Sequence, residues 1–405
     1  MDTGSGIAKD TGLLREPVVA YLFTSFLVVV AVGLGPELLP ESDHIFARQT
    51  PFIERFANWD GEWYSRIVDN GYGYEPGRNS SIAFFPLYPF LGWVVREVLG
   101  VTTTSALLIV SNSCLLASLI LFARYQQIVH GDTPATARQS AIWMLAIFPP
   151  TFFFRMAYSE SLFLLLALAA LLAMHSGKSL FLTAVIIGAA TAARTTGVAL
   201  IVPFAIHIWR TDRTKFSIPR LAFFIGLSTW GLLAYVGYLQ LWFGDGLVFL
   251  WTQGEWWMRP RVSFPRQLIG TVSLEPIWSL YLPGSDGFWQ HEGASGLGVA
   301  SLHFANPVWF GIILISVFFG WRRKSITDLE VAFSLTLLAL SYVPKSFPMC
   351  MASQARYAAV VYPAYIALGD MLASWPSAAR LVLYCAFAIG LMIYAAQFAA
   401  WYIAI

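Results

Sequence analysis

Between Phe56 and Phe90 the chain reads FANWDGEWYSRIVDNGYGYEPGRNSSIAFFPLYPF, a stretch that gathers carboxylates, arginines and aromatic rings between hydrophobic segments. Its acids differ in what surrounds them. Glu62 stands four residues before Arg66, the orientation in which a surface ion pair supports a helix. Asp60 has no cation three or four positions on; Trp63 and Tyr64 stand there, rings that hold it at a membrane surface and can pack against a sugar. Asp60 is therefore the first candidate for a carboxylate that accepts a proton from a hydroxyl. Glu75 is the second, because Pro76 fixes the loop after Gly71 and Gly73 and keeps the glutamate out of a helix. The element expected to carry Asp60 is a helix from Pro51, with Thr50 as N-cap and a stop at Gly71. On it Phe56, Trp59, Trp63 and Ile67 form an apolar face that would lie in a membrane interface.

WDGEWYSRIVDNGYGYE followed by AFFPLYP resembles the PIG-V type family of mannosyltransferases, which use lipid-phosphate sugars. In that family a Trp-Asp pair, a Gly-Tyr…Glu element and a Phe-Phe-Pro-Leu-x-Pro element follow one another in the first non-cytoplasmic loop. The interval Pro76 to Ile82 is closer to prokaryotic members. Tyr158, Ser159 and Glu160 match a Tyr-Ser-Glu region of the family, Arg194 its Ala-Arg-x-x-Gly region, and QARYAAVVYP around Arg356 a third. The resemblance implies an all-α GT-C membrane glycosyltransferase. It would move mannose from a polyprenyl- or dolichyl-phosphate carrier to a hydroxyl of a lipid-linked acceptor, with inversion and with no cofactor or obligatory metal. Asp60 would take or align the hydroxyl proton, Glu75 would position hydroxyls, Trp59, Tyr64 and Tyr158 would contact substrate, and arginines would hold the departing phosphate.

Composition bounds the alternatives. With 57% hydrophobic, 16% aromatic and 12% charged residues in 405, the chain has about half the charge of a soluble domain and reads as one polytopic membrane unit. A net charge of +2, with basic residues in scattered short clusters, points away from nucleic acid. Cys114, Cys350 and Cys385 lie in apolar segments without ligand spacing and read as small buried hydrophobes. The sequence has no P-loop, Rossmann fingerprint, His pair or Asp-x-Asp pattern, so a nucleotide sugar held by a metal is not the expected donor. Asn79-Ser80-Ser81 is a sequon on the expected outer face.

The run from Pro17 to Leu39, preceded by Lys9 and Arg15, is a membrane helix that starts in the cytoplasm. It delivers a first outer loop, about 40–103, in which residues 84–99 are a buried or interfacial segment. Further spans are expected at about 104–127, 138–154, 158–175, 179–193, 196–209, 218–242, 303–320, 328–344, 356–374 and 379–404, about eleven in all. Several are shorter than a free-standing span and must be broken helices packed in protein. Arg155, Glu160 and Arg194 at two breaks are site candidates, since ionisable groups at membrane depth face a cavity or a partner. Arg155 paired with Glu160 as a purely structural bridge is the alternative. Arg194 and Arg356, each at a helix start, suit a phosphate. A second outer loop, about 243–302, holds Glu255, Trp256, Trp257, Arg259, Pro260 and Arg261, a run that could bind a donor phosphate and prenyl tail. The bilayer is a cell membrane in a prokaryotic host and the endoplasmic reticulum in a eukaryotic one. The rival reading is a transporter or lipid flippase, which also uses broken helices and buried arginines.

Overall fold

The structure is a computed structural model that describes residues 4–39, 42, 47–211, 217–256, 263–285, 288–289, 298–345 and 351–402. Among these residues the regular structure is helical, with no β-strand. Helices apolar all round cannot bury a single stripe and suit lipid. Four are long and apolar enough to cross a membrane: Leu14–Leu38, Thr103–Val129, Leu302–Arg323 and Ser377–Ala399. Two bent pairs, Pro149–Arg155 with Glu160–His175 and Ile218–Ser228 with Trp230–Phe243, turn through 98° and 63° and bring the number to six if each is one span. Phe26, Leu241 and Val382 stay 65%, 79% and 70% exposed, as side chains facing a bilayer would. The chain is thus a multi-pass membrane protein.

The other expected spans are short helices packed among these. Ala135–Ile147, Leu180–Ala193, Asp328–Tyr342 and Pro363–Ala373 have 13, 14, 15 and 11 residues, below the roughly 20 that cross a bilayer alone. Leu87–Leu99, 13 residues long, reaches only about 20 Å. It packs on Thr103–Val129, where a Cβ on Gly92 would meet Leu107 Cδ2 at 2.5 Å.

Local chemistry sets the breaks. Pro149 and Pro150 cannot supply the N–H groups that would continue Ala135–Ile147, so the chain tightens into a 3-10 turn, Pro149–Arg155. Thr102 caps Thr103–Val129 by accepting from Ser105 N, and Thr327 with Glu330 forms a capping box at Asp328–Tyr342. The first and last spans run side by side in the same direction, so close that a Cβ on Gly35 would meet the Ala396 backbone at 2.7 Å. At their shared end Asn58 Nδ2 donates to Phe398 O at 3.3 Å and Ala399 O at 3.2 Å. These are carbonyls that a helix C-terminus leaves without partners.

Two expectations need correction here. Asp60 begins its helix, Asp60–Asn70, and the residues before it form a separate 3-10 turn, Glu54–Ala57. The reason is Trp59, whose φ of 63° breaks the helical path. Phe56 and Ile67 are accordingly buried in protein and do not form an interfacial stripe. The stop at Gly71 is where expected, at φ 77°, with its N–H donating to Ile67 O at 2.9 Å. Cys385 is exposed and Cys114 partly buried, so they are not core cysteines; Cys350 lies outside the described residues.

Candidate active site

Three chain segments meet to place Asp60. The backbone N–H of Ala157 donates to Phe56 O at 2.9 Å. Tyr158 Oη accepts from Asp60 N at 3.1 Å and donates to Asn58 O at 3.2 Å. The tyrosine thus pins both sides of the Trp59 turn. A non-glycine residue in such a conformation costs on the order of 1–3 kcal/mol, and these bonds from the broken span hold it. The carboxylate that results sits in the first turn of a helix, where the N-terminal dipole favours negative charge.

From Asp60 a chain of alternating charges runs inward. Arg356 Nη1 donates to Asp60 Oδ2 at 2.6 Å, and Arg356 Nε lies 3.4 Å from Glu160 Oε1. Glu160 also pairs with Arg194, whose Nη1 donates to Ser159 Oγ at 3.2 Å. Two acids and two arginines make the cluster neutral overall, which is what lets these charges lie at low exposure. The side chains of Arg356 and Glu160 are 4% and 1% exposed, those of Arg194 and Asp60 11% and 18%. The last two therefore meet whatever enters.

They line a pocket of about 120 Å³ together with Tyr64, Phe84, Tyr158, Glu160, Arg356 and Tyr357. Tyr64 hydrogen-bonds Ser159 at 2.9 Å. Burial holds its phenol well above the ordinary range, against an opposing pull from Arg194. Tyr64 packs edge-on to Phe84, Trp63 stacks on the same ring at 6.1 Å, and Arg194 lies over Tyr357 at 5.2 Å. Aromatic rings beside a carboxylate and one partly open guanidinium can receive a sugar bearing a phosphate.

The structure gathers Asp60, Tyr64, Tyr158, Glu160, Arg194 and Arg356 in this one pocket. The others go elsewhere. Glu75 is 69% exposed and pairs with Arg78 at 3.1 Å on the loop beyond Gly71, outside the pocket lining. Its loop is tied back instead through Ser80 Oγ, which accepts from Glu75 N at 3.0 Å. Trp59 packs against Trp401 at 5.2 Å and is not among the pocket's lining residues. Arg155 is 2% exposed and turns from Glu160: it donates to Thr24 and Ser25 of the first span and to Thr151 O and Ala146 O. It stitches helices together, and neither the Arg155–Glu160 bridge nor a site role fits that placement. Arg259 lies outside the described residues, as does most of the run around it. Glu62 pairs with Arg66 at 3.8 Å and also with Arg48. Ser159 and Tyr357 contact Arg194, and Tyr357 also lines the pocket; Ser159 entered the sequence reading only as a motif position and Tyr357 was not singled out, though each adjoins a candidate. Among the described residues no group of three His, Cys, Asp or Glu side chains is placed to hold a metal ion.

Residues 35–210 match the family described as mannosyltransferase (PIG-V), in agreement with the resemblance read from the motifs. GPI mannosyltransferase 2 of Drosophila melanogaster is 32% identical over 180 residues, which are 37% of this chain and 38% of that protein. The match therefore spans about two fifths of the curated relative. Among solved structures, the Archaeoglobus fulgidus oligosaccharyltransferase in its apo form aligns at 14% identity and a TM-score of 0.44, covering 96% of this chain and 56% of that one. The same archaeal enzyme in complex with an inhibitory peptide and a dolichol-phosphate aligns at 14% identity and a TM-score of 0.44, covering 97% and 56%.

Proposed function

We propose that the protein is a GT-C glycosyltransferase that moves mannose from a polyprenyl- or dolichyl-phosphate carrier to a hydroxyl of a lipid-linked acceptor at the outer membrane face. The observation that carries this reading is the Asp60–Arg356–Glu160–Arg194 chain opening into an aromatic pocket at one end of the membrane bundle. The family match over residues 35–210 supports it, since Asp60, Glu160 and Arg194 all fall inside that region.

In this mechanism the acceptor oxygen attacks the anomeric carbon of mannose while the bond from that carbon to the phosphate oxygen breaks. The hydroxyl proton passes to Asp60, and the bonding electron pair leaves with the lipid phosphate. Attack opposite the leaving group inverts the anomeric centre. Arg194, the more open guanidinium, meets the phosphate and stabilises its growing charge. Arg356 lies between Asp60 and Glu160 and holds the base in position. Guanidinium charge facing a monophosphate leaving group does the work that a metal would otherwise do, so the proposed reaction needs no obligatory metal.

Purified protein in liposomes, given labelled mannose on polyprenyl phosphate or on a guanosine diphosphate, tests the donor class. Label should reach a lipid product from the polyprenyl donor alone, with chelator present. Transfer from the nucleotide sugar alone, or a strict need for added divalent cation, would overturn this reading.

A further inference from the structure

A second cavity, of about 420 Å³, lies between the Leu14–Leu38, Ala135–Ile147 and Ser377–Ala399 helices. It sits toward the end of the bundle opposite Asp60. Ser377 begins the helix whose far end Asn58 caps, and Gln139 lies in the second turn of its own helix. That end carries Arg124, Arg138, Arg322 and Arg323, so the positive-inside rule assigns it to the cytoplasm.

The cavity is graded in polarity. Gln139, Ser140, Ser377 and Arg380 line one part, and Trp143, Tyr384, Cys385 and Ala388 continue along the same two helices toward the bilayer centre. Arg380 is partly buried, yet among the described residues its guanidinium has no hydrogen bond or ion pair. Arg155, Arg194 and Arg356, by contrast, are all committed to protein partners. An open guanidinium on a cavity wall attracts an anion. The first N–H groups of the Ser377 helix, which have no intrahelical acceptor, add to the attraction at the same place. Glu16 accepts from the indole N–H of Trp143, a cavity residue, at 3.3 Å.

We propose that this cavity holds one anionic glycerophospholipid of the cytoplasmic leaflet. Its phosphodiester rests on Arg380 and the start of the Ser377 helix, and an acyl chain runs along Trp143, Tyr384 and Ala388. Such a lipid would join the first, middle and last helices of the chain at the end remote from the reacting groups. The inference does not depend on what the Asp60 pocket transfers.

Native mass spectrometry of the full chain in mild detergent, titrated with dioleoyl phosphatidylglycerol, tests it. One phosphatidylglycerol should bind, dioleoylglycerol without a phosphate should not compete, and Arg380→Gln should weaken binding about fivefold. Arg380→Lys should keep most of the affinity. Ala388→Trp, which fills the chain path but leaves the arginine, should also weaken it, and serves as the deciding variant if Arg380→Gln fails to reach the wild-type melting temperature. Unchanged binding in Ala388→Trp, or in an Arg380→Gln protein of normal melting temperature, would overturn the proposal. So would displacement of the phospholipid by equimolar polyprenyl phosphate, which would assign the cavity to the donor lipid.

Discussion

Asp60 and Arg356 stand 296 positions apart in the chain and 2.6 Å apart in the fold. Each was legible as a candidate from its own neighbourhood, but their pairing was not, because a side chain's partner across such a separation leaves no trace in local spacing. The same limit explains Glu160. The nearest arginine in sequence is Arg155, yet a 3-10 turn points that guanidinium toward the first span and leaves Glu160 to Arg194 and Arg356. Glu75 shows the opposite failure, a motif position whose side chain the loop turns to solvent. Arg194→Ala should lower kcat/KM for transfer about a hundredfold, the cost of one donor aimed at developing charge, and Arg194→Lys should recover part of it, lacking two parallel donors. Glu75→Gln should stay within about twofold of wild type, because an exposed ion pair contributes at most about 1 kcal/mol. Steady-state transfer assays on equally folded proteins check both; a full hundredfold loss in Glu75→Gln would return that residue to the site.

The elements that hold these groups are the breaks, more than the long spans. Apolar length announces a span such as Thr103–Val129 to any reader of the sequence. The 98° bend that brings Tyr158 under the Asp60 turn was legible only as a break, because its angle depends on what packs against it. Gly197 illustrates the physics. The turn after Arg194 runs so close to the preceding helix that a Cβ on Gly197 would meet Ala190 O at 2.4 Å. Gly197→Ala should therefore push the Arg194 turn outward, costing about 1–3 kcal/mol of stability and reducing transfer beyond what the lost fold explains. Thermal unfolding together with activity per folded molecule separates the two effects. Arg155→Ala should do something different. It removes the stitch between the first span and the Pro149–Arg155 turn and leaves buried acceptors open, a loss of about 1–3 kcal/mol. Activity per folded molecule should remain, and a selective collapse of that activity would place Arg155 in the chemistry after all.

Taken as a whole, the molecule is a helical membrane bundle with a charged, aromatic pocket at one end and basic clusters at the other. Membrane character was plain from composition and helical class from the resemblance; that several spans are short helices packed in protein was legible from their length, but the shortness of Asp328–Tyr342 and Pro363–Ala373 was not, because hydropathy does not report what covers a helix. Orientation is open to direct labelling. Cysteine placed at exposed Asn79, in a background without native cysteines, should react from outside intact cells or vesicles, and cysteine at exposed Asp132 only from the cytoplasm. The reverse pattern would put the pocket on the wrong side for the proposed donor. If Asp60 receives the acceptor's proton in this pocket, Asp60→Asn should remove the transfer and little else. Asparagine keeps the shape and can still accept from Arg356, so the pocket should remain assembled while proton acceptance is lost. With labelled polyprenyl-phosphate mannose and protein shown to be equally folded, transfer should fall about a hundredfold to ten-thousandfold, and Glu62→Gln should transfer normally. Near-normal transfer by Asp60→Asn would show that another group takes the proton.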